Sequence, residues 1–319
     1  MNILLLSPID PEAVKALVLK HSVVDATNGD ADLSPSIMRD QDVIVFRSGV
    51  SVSSAVMDMA PDLKLLVRAG SGMDNVDLGH ARARGVRLVR IPGPSAQAVA
   101  ELTFALMLAL ARKVVLSDRE LRRGHWPKRE LGGPLLMGKT LGIVGAGNIG
   151  ARVGELGAAW GMKVIACVDR YSEECAARLA ARGIELKTLD PVLSEADFVT
   201  VHVPLTASTR NLIGSQTMSM MKPGAYLLNT ARGGIVDERA LYDELIEGRL
   251  AGAALDVHER EGEGTISPFS ELPNVILTPH IGGMALDSQR DIGGRVVQII
   301  DSFDEGRIDE QTQSNELVL

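Results

Sequence analysis

Apolar and polar positions alternate along this chain in two blocks. In the first ninety residues, short apolar runs at Ile3 to Leu6, Val43 to Phe46, Leu65 to Arg68 and Val86 to Val89 are separated by helix-like segments such as Pro11 to Lys20. That rhythm predicts a small α/β unit. A long helical pattern follows from about Ser95 to Arg123, apolar almost all round in its first half and charged later, as expected of a helix that starts between packed surfaces and connects two domains. From Lys139 onward, strand-like runs recur at LGIVGAG, KVIACVD, FVTVHV, AYLLNT, AGAALDV and VILTPH, with helix-like segments between them. Strands alternating with helices imply right-handed crossovers and a doubly wound parallel sheet. A last helical segment, about Ala285 to Phe303, is expected to pack back onto the first unit. The tail DEGRIDEQTQSNELVL then reads as a solvated end. The pattern thus predicts one domain of residues 95–284 inserted into another made of residues 1–94 and 285–319.

Composition narrows the functional classes. With 319 residues, two cores are affordable. A net charge of −8 and a pI near 5.4 offer no field for phosphate backbones or anionic lipid, so neither nucleic acid nor a membrane surface is an expected partner. The opening MNILLLSP lacks the basic flank of a signal peptide, and no stretch reaches the roughly 20 continuous apolar residues of a spanning helix. A cytoplasmic setting follows as the expectation. Cys167 and Cys175 lie too close for a structural disulfide framework and read as reduced thiols. His21, His80, His125 and His258 read as surface positions, and no metal-binding spacing is present.

The sharpest local motif is Gly145-Ala146-Gly147-Asn148-Ile149-Gly150. It follows a predicted strand, opens a helix, and has Asp169 at the end of the next strand, about twenty residues on. The glycines permit a tight turn and close backbone approach, the helix N-terminus faces a pyrophosphate, and the carboxylate takes ribose hydroxyls. The expected cofactor is NAD: a carboxylate at Asp169 repels a 2′-phosphate, although Arg170 beside it softens that preference.

The unusual residues of the second domain fall at the carboxyl ends of its predicted strands, where open α/β sheets bind ligands. They are His202 and Pro204, Thr230 to Gly234, Asp256 with Glu261, and Pro279 to Gly283. Oxidising a 2-hydroxy acid needs a base for the hydroxyl proton and a cation that holds the carboxylate. Histidine titrates near neutrality, a neighbouring carboxylate orients it, and an arginine fork grips a carboxylate bidentately. His280, Glu261 and Arg232 fill those roles. His202 ends an inner strand and fits a satisfied core or cofactor-edge histidine as well as a proton carrier.

Seven stretches carry a resemblance over nearly the whole chain: RAGSGMDNVD at 68–77, VAELTFALMLALAR at 99–112, GKTLGIVGAGNIG at 138–150, HVPLTASTRNLIG at 202–214, MKPGAYLLNTARGGIVDE at 221–238, AALDVHERE at 253–261 and TPHIGG at 278–283. Together they resemble the D-isomer-specific 2-hydroxyacid dehydrogenase family. The resemblance implies a Rossmann NAD domain inserted into a smaller flavodoxin-like α/β substrate domain, with Arg232, Glu261 and His280 as catalytic residues. It also implies NAD contacts at Ser71, Asn148, Ile149, Asp169, Val203, Thr230, Ala231, Asp256 and Gly283, alongside the glycine motif, His202, Pro204, Arg232, His280 and Gly282. The expected substrate is a small anionic 2-hydroxy or 2-keto acid, with its carboxylate expected to dock on Arg232 and the backbone of Ala69, Gly70, Ser71 and Gly72. Members are usually homodimers.

Arg47 and Arg68 stand where 3-phosphoglycerate dehydrogenases place two arginines facing the substrate's phosphate. Ser95, Ala98 and Gly262 depart from that pattern, so glyoxylate or hydroxypyruvate reduction is the alternative, and another D-2-hydroxyacid dehydrogenase acting on a different anionic acid, such as a sulfonated one, is the third. A non-catalytic, NAD-sensing corepressor role is the remote one.

Overall fold

A computed structural model describes residues 1–27, 34–312 and 316–319, which fall into two compact units, residues 1–95 with 283–319 and residues 96–282. In the first unit five parallel strands, β1 (Asn2–Leu5), β2 (Ser22–Asp25), β3 (Val43–Phe46), β4 (Leu65–Arg68) and β5 (Arg87–Arg90), lie in the order β2-β1-β3-β4-β5. Four helices separate them: α1 (Pro11–Val18), α2 (Pro35–Met38), α3 (Ser54–Asp58) and α4 (Leu78–Ala83). The inner strands are covered on both faces, which is why they read as unbroken apolar runs. Successive residues divide between the two faces. Ile3, Val43, Val45, Leu65 and Val67 join one apolar layer, and Leu4, Ile44, Phe46 and Leu66 the other.

The chain continues through α5 (Gly93–Ala111) and α6 (Val114–Arg122). One continuous helix was the expectation from the sequence, but Lys113 adopts a left-handed conformation with φ 51° and separates the two. A packing reason lies nearby. A Cβ on Gly133 would sit 1.8 Å from the Ala111 carbonyl oxygen, so another segment crosses tightly over the end of α5. By length and hydropathy α5 could cross a membrane, yet Phe104, Met107 and Leu110 are buried in the core of the second unit.

The second unit is a seven-stranded parallel sheet. Its strands are β6 (Thr140–Val144), β7 (Lys163–Cys167), β8 (Ile184–Leu186), β9 (Phe198–Val201), β10 (Tyr226–Asn229), β11 (Gly252–Leu255) and β12 (Val275–Leu277), ordered β12-β11-β10-β9-β6-β7-β8. Helices α7 (Asn148–Ala159), α8 (Glu173–Ala180), α9 (Leu189–Glu195), α10 (Ser215–Met218) and α11 (Glu238–Ile246) complete it. The strand order reverses between β6 and β9, and that point opens a ligand crevice beyond the strand ends. Both strands that the sequence pattern passed over, β2 and β8, lie at sheet margins, where only one neighbour exists and the apolar run shrinks.

Two helices return to the first unit, α12 (Leu286–Asp304) and α13 (Ile308–Gln311). The stretch beyond is not a solvated end. Ile308 is buried, Glu316 is buried and paired with Arg295, and Val318 donates its N–H to the Leu88 carbonyl at 2.9 Å. An antiparallel bridge joins Leu317 to Val89 of β5. Residues 313–315 of the expected tail lie outside the described residues. His21 also departs from its expected surface place: its buried ring lies 3.3 Å from Asp301 of α12, between that carboxylate and the N-terminal amine.

Candidate active site

At the end of β6 the three glycines of the motif have different surroundings. Gly145 has φ 99°, and a Cβ there would lie 2.8 Å from the His202 carbonyl across the switch point. One on Gly150 would lie 2.1 Å from the Gly145 carbonyl, so this glycine lets α7 seat on its strand. Gly147 has nothing within 4 Å of where its Cβ would be. The approach to the N-terminus of α7 is therefore open, and the first N–H groups of a helix attract anions. Asp169, two residues beyond β7, is 99% exposed, and Arg170 beside it is 97% exposed with no closer approach than 4.0 Å. An open backbone cradle plus a free carboxylate one strand away fits a dinucleotide.

Across the crevice, His202 follows β9 directly. Its Nε2 lies 2.9 Å from Thr200 Oγ1, its Nδ1 is enclosed without a hydrogen-bond partner among the described residues, and burial pushes its pKa down to about 3. The ring is kept neutral by its burial and has no carboxylate partner among the described residues. Val203 packs towards Gly145, and Pro204 is exposed with its carbonyl accepting from Thr209.

After β10 the chain makes a turn shaped by Asn229, a residue sequence reasoning missed. Its Oδ1 accepts the Ala231 N–H at 3.1 Å, and its Nδ2 donates to the Arg232 carbonyl at 2.9 Å. The half-buried Arg232 guanidinium donates to the Ala231 carbonyl at 2.7 Å. Thr230 is buried, its hydroxyl 3.0 Å from that of Thr103 on α5. Gly233 is obligatory here, because a Cβ would come within 1.8 Å of the His258 carbonyl.

Beyond β11, Asp256 is 1% exposed and wholly engaged. Its carboxylate accepts from Thr278 Oγ1 at 2.6 Å, Ile281 N at 2.9 Å and Gly282 N at 2.8 Å. The loop after β12 is thereby wrapped around one carboxylate. His280 at its apex takes φ 53°, an unfavourable conformation for a non-glycine residue that surrounding contacts must enforce. Its ring Nδ1 lies 2.8 Å from Glu261 Oε2. Since a carboxylate only accepts, Nδ1 carries a proton. Burial pushes the Glu261 carboxyl up, but the hydrogen bond and charge of His280 and the His258 N–H outweigh it and hold the group below the usual range. His258 also departs from its expected surface place. Its half-buried ring points at the Thr278 carbonyl rather than into solvent.

In the first unit, Arg68 is buried and lies against the Phe46 ring; its Nε donates to the Gly72 carbonyl at 2.9 Å and its Nη1 to that of Ala69 at 3.3 Å. It therefore braces the loop 69–72, helped by Arg90, which donates to the Ser71 carbonyl. Gly70 has φ 153° and a Cβ there would strike Arg68 Nη1. Arg47 follows β3 and is half-buried; its one side-chain acceptor among the described residues is Met284 Sδ at 3.4 Å, and burial lowers its pKa. Gly283 is half-buried in the same unit, its carbonyl accepting from Gln289.

A dinucleotide cradle and a histidine–carboxylate pair on the same sheet edge define an oxidoreductase that works with a nicotinamide dinucleotide. Comparison with known proteins agrees. The family described as D-isomer specific 2-hydroxyacid dehydrogenase, NAD binding domain, matches residues 104–282. The chain is 39% identical over 296 residues to hydroxypyruvate reductase of Thermotoga maritima, covering 92% of this chain and 95% of that one. It is also 39% identical over 311 residues to D-3-phosphoglycerate dehydrogenase of Methanocaldococcus jannaschii, covering 97% of this chain but 59% of the relative. The structure of D-lactate dehydrogenase from Aquifex aeolicus, solved with NAD and lactic acid, superposes with a TM-score of 0.87 at 29% identity, covering 100% of this chain and 99% of that one. The chain belongs to the D-isomer-specific 2-hydroxyacid dehydrogenase family and is an NAD-dependent enzyme of that family.

Proposed function

We propose that the enzyme interconverts a small D-2-hydroxy acid and its 2-keto acid with His280 as the proton carrier, and that the substrate bears a second anionic group. The observation that carries the reaction is the 2.8 Å contact between His280 Nδ1 and Glu261. Gly145 to Gly150 and Asp169, with His202, Val203, Pro204, Thr230, Ala231, Asp256, Gly282, Gly283 and Ser71 as further contacts, would hold NAD, which would supply the hydride acceptor for the hydroxyl-bearing carbon. His280 Nε2 takes the hydroxyl proton, and the Glu261 charge stabilises the resulting imidazolium. Arg232 grips the substrate carboxylate as a fork, with the backbone of Ala69, Gly70, Ser71 and Gly72 also contacting substrate.

What supports an anionic tail is Arg47. A half-buried guanidinium facing a thioether sulfur is poorly satisfied, and an anion is the partner it lacks. Arg68 contributes by bracing the substrate loop. A 3-phosphoglycerate-like substrate fits this reading. Hydroxypyruvate or glyoxylate reduction is the second reading, favoured by a hydroxypyruvate reductase that matches this chain along 95% of its own length. We further propose a cytoplasmic homodimer, supported by exposed apolar side chains of the second unit such as Val114, Val115, Leu121, Trp126 and Met137.

A steady-state assay with NAD and NADP tests the substrate. It would run 3-phosphoglycerate, D-glycerate and D-lactate forward, and hydroxypyruvate and glyoxylate in reverse. The expected result is preference for the phosphorylated acid, lost in Arg47→Gln through a rise in KM of about 10-fold or more. Equal turnover of acids with neutral tails would leave Arg47 without that role.

A further inference from the structure

We infer that His258 is a positioning residue that holds both members of the proton-transfer pair in register. The inference rests on the reading of His280 and Glu261 given above. Three contacts converge on this one residue. Its Nε2 lies 3.0 Å from the Thr278 carbonyl oxygen, which also accepts the backbone N–H of His280 at 3.1 Å. Its backbone N–H donates to Glu261 Oε1 at 3.1 Å, the oxygen that His280 does not use. Its own carbonyl is the surface against which Gly233, next to Arg232, is packed with no room for a side chain.

The protonation state follows from donor and acceptor chemistry. A carbonyl only accepts, so His258 Nε2 carries the proton and Nδ1 is left bare. That Nδ1 is fully enclosed and has no partner among the described residues. An orphaned buried nitrogen is unfavourable, and a phenyl ring would fill the same space without it. What histidine adds over an aromatic hydrocarbon is the single Nε2–H bond to the Thr278 carbonyl. Thr278 is held from its other side by Asp256, so this bond closes a frame. Asp256 fixes the loop from within, while His258 ties that loop to the segment bearing Glu261. The 2.8 Å contact between His280 and Glu261 joins groups from two separate loops, and its length depends on those loops keeping one spacing. Geometry of this kind is sensitive at the level of an ångström.

Purified His258→Phe, His258→Gln and His280→Ala proteins would be compared with the parent for kcat, KM, NAD affinity by fluorescence titration, and the pH dependence of kcat/KM. The expected result is that His258→Phe loses about 10- to 100-fold in kcat and changes the shape of the pH profile while NAD affinity and KM hold. His258→Gln, whose amide N–H can reach the same carbonyl, should recover both. If His258→Phe matches the parent in kcat and pH profile, or if Gln is no better than Phe, the inference is overturned. Should His258→Phe lose NAD binding as well, His258→Gln decides by the same readouts: near-parent kcat and profile support the inference, and a Phe-like loss overturns it. An active His280→Ala would instead sink the underlying assignment, whatever the His258 variants do.

Discussion

Two histidines stand at the carboxyl edge of the same sheet, and they have opposite characters. His202, after β9, is enclosed, bonded to Thr200 and kept neutral, with a pKa pushed to about 3. His280, beyond β12, sits on an exposed loop in a left-handed conformation with a carboxylate on its Nδ1. Placement at the ligand-binding edge does not make a proton carrier. A histidine that must gain and lose a proton needs access to substrate on one nitrogen and a counter-charge on the other. His202 has an enclosed Nδ1 and no counter-charge among the described residues.

The largest test of this contrast is His280→Ala. It is expected to lower kcat by about 10²- to 10⁴-fold while NAD affinity, measured by titration, stays near that of the parent. Gly233→Ala is expected to follow. Its Cβ would strike the His258 carbonyl, 1.8 Å away, so the backbone must shift; a fall in Tm together with kcat is the outcome, at a cost of about 1–3 kcal/mol or more. Third comes Glu261→Gln, expected to cost about 10- to 100-fold in kcat. The Glu261 carboxyl is held below its ordinary range, so its stabilising pairing is present above that range and is lost as pH falls through the lowered value. The Gln variant should therefore lack this part of the acid-induced loss in Tm.

The smallest effect on turnover belongs to His202→Asn. The folded protein resists protonating His202 while the unfolded chain does not, so this group removes stability as pH falls from about 6.5 towards about 3. Melting curves of the variant should decline less steeply across that window. An unchanged slope would show that His202 titrates normally.

Much of this was legible in the sequence, for a physical reason. The doubly wound pattern follows from strands buried on both faces, and the glycine motif in part from the backbone constraints at Gly145 and Gly150 that glycine alone meets. Residue chemistry at predicted strand ends pairs His280 with Glu261, and the two stand 2.8 Å apart. What stayed hidden depends on contacts between distant segments. Nothing in LALARKVVL announces that Lys113 breaks the helix, because Gly133 lies far along the chain. Ser22–Asp25 and Ile184–Leu186 are marginal strands without an inner strand's apolar signature. Asn229, Thr278 and His258 act on backbone groups of their neighbours, and such roles leave no residue-type pattern. The tail misled by its polarity, since the burial of Glu316 is made tolerable by Arg295.

That tail has a consequence outside catalysis. An uncovered outer strand presents a row of backbone donors and acceptors to any passing chain. The bridge between Leu317 and Val89, with the N–H groups of Arg90 and Val318 satisfied by Glu316 and Leu88, occupies part of that row on β5. Residues 316–319 thus cover part of an edge that would otherwise be open to pairing, and removing those four residues is expected to raise the tendency to associate through β5 even with the chemistry intact.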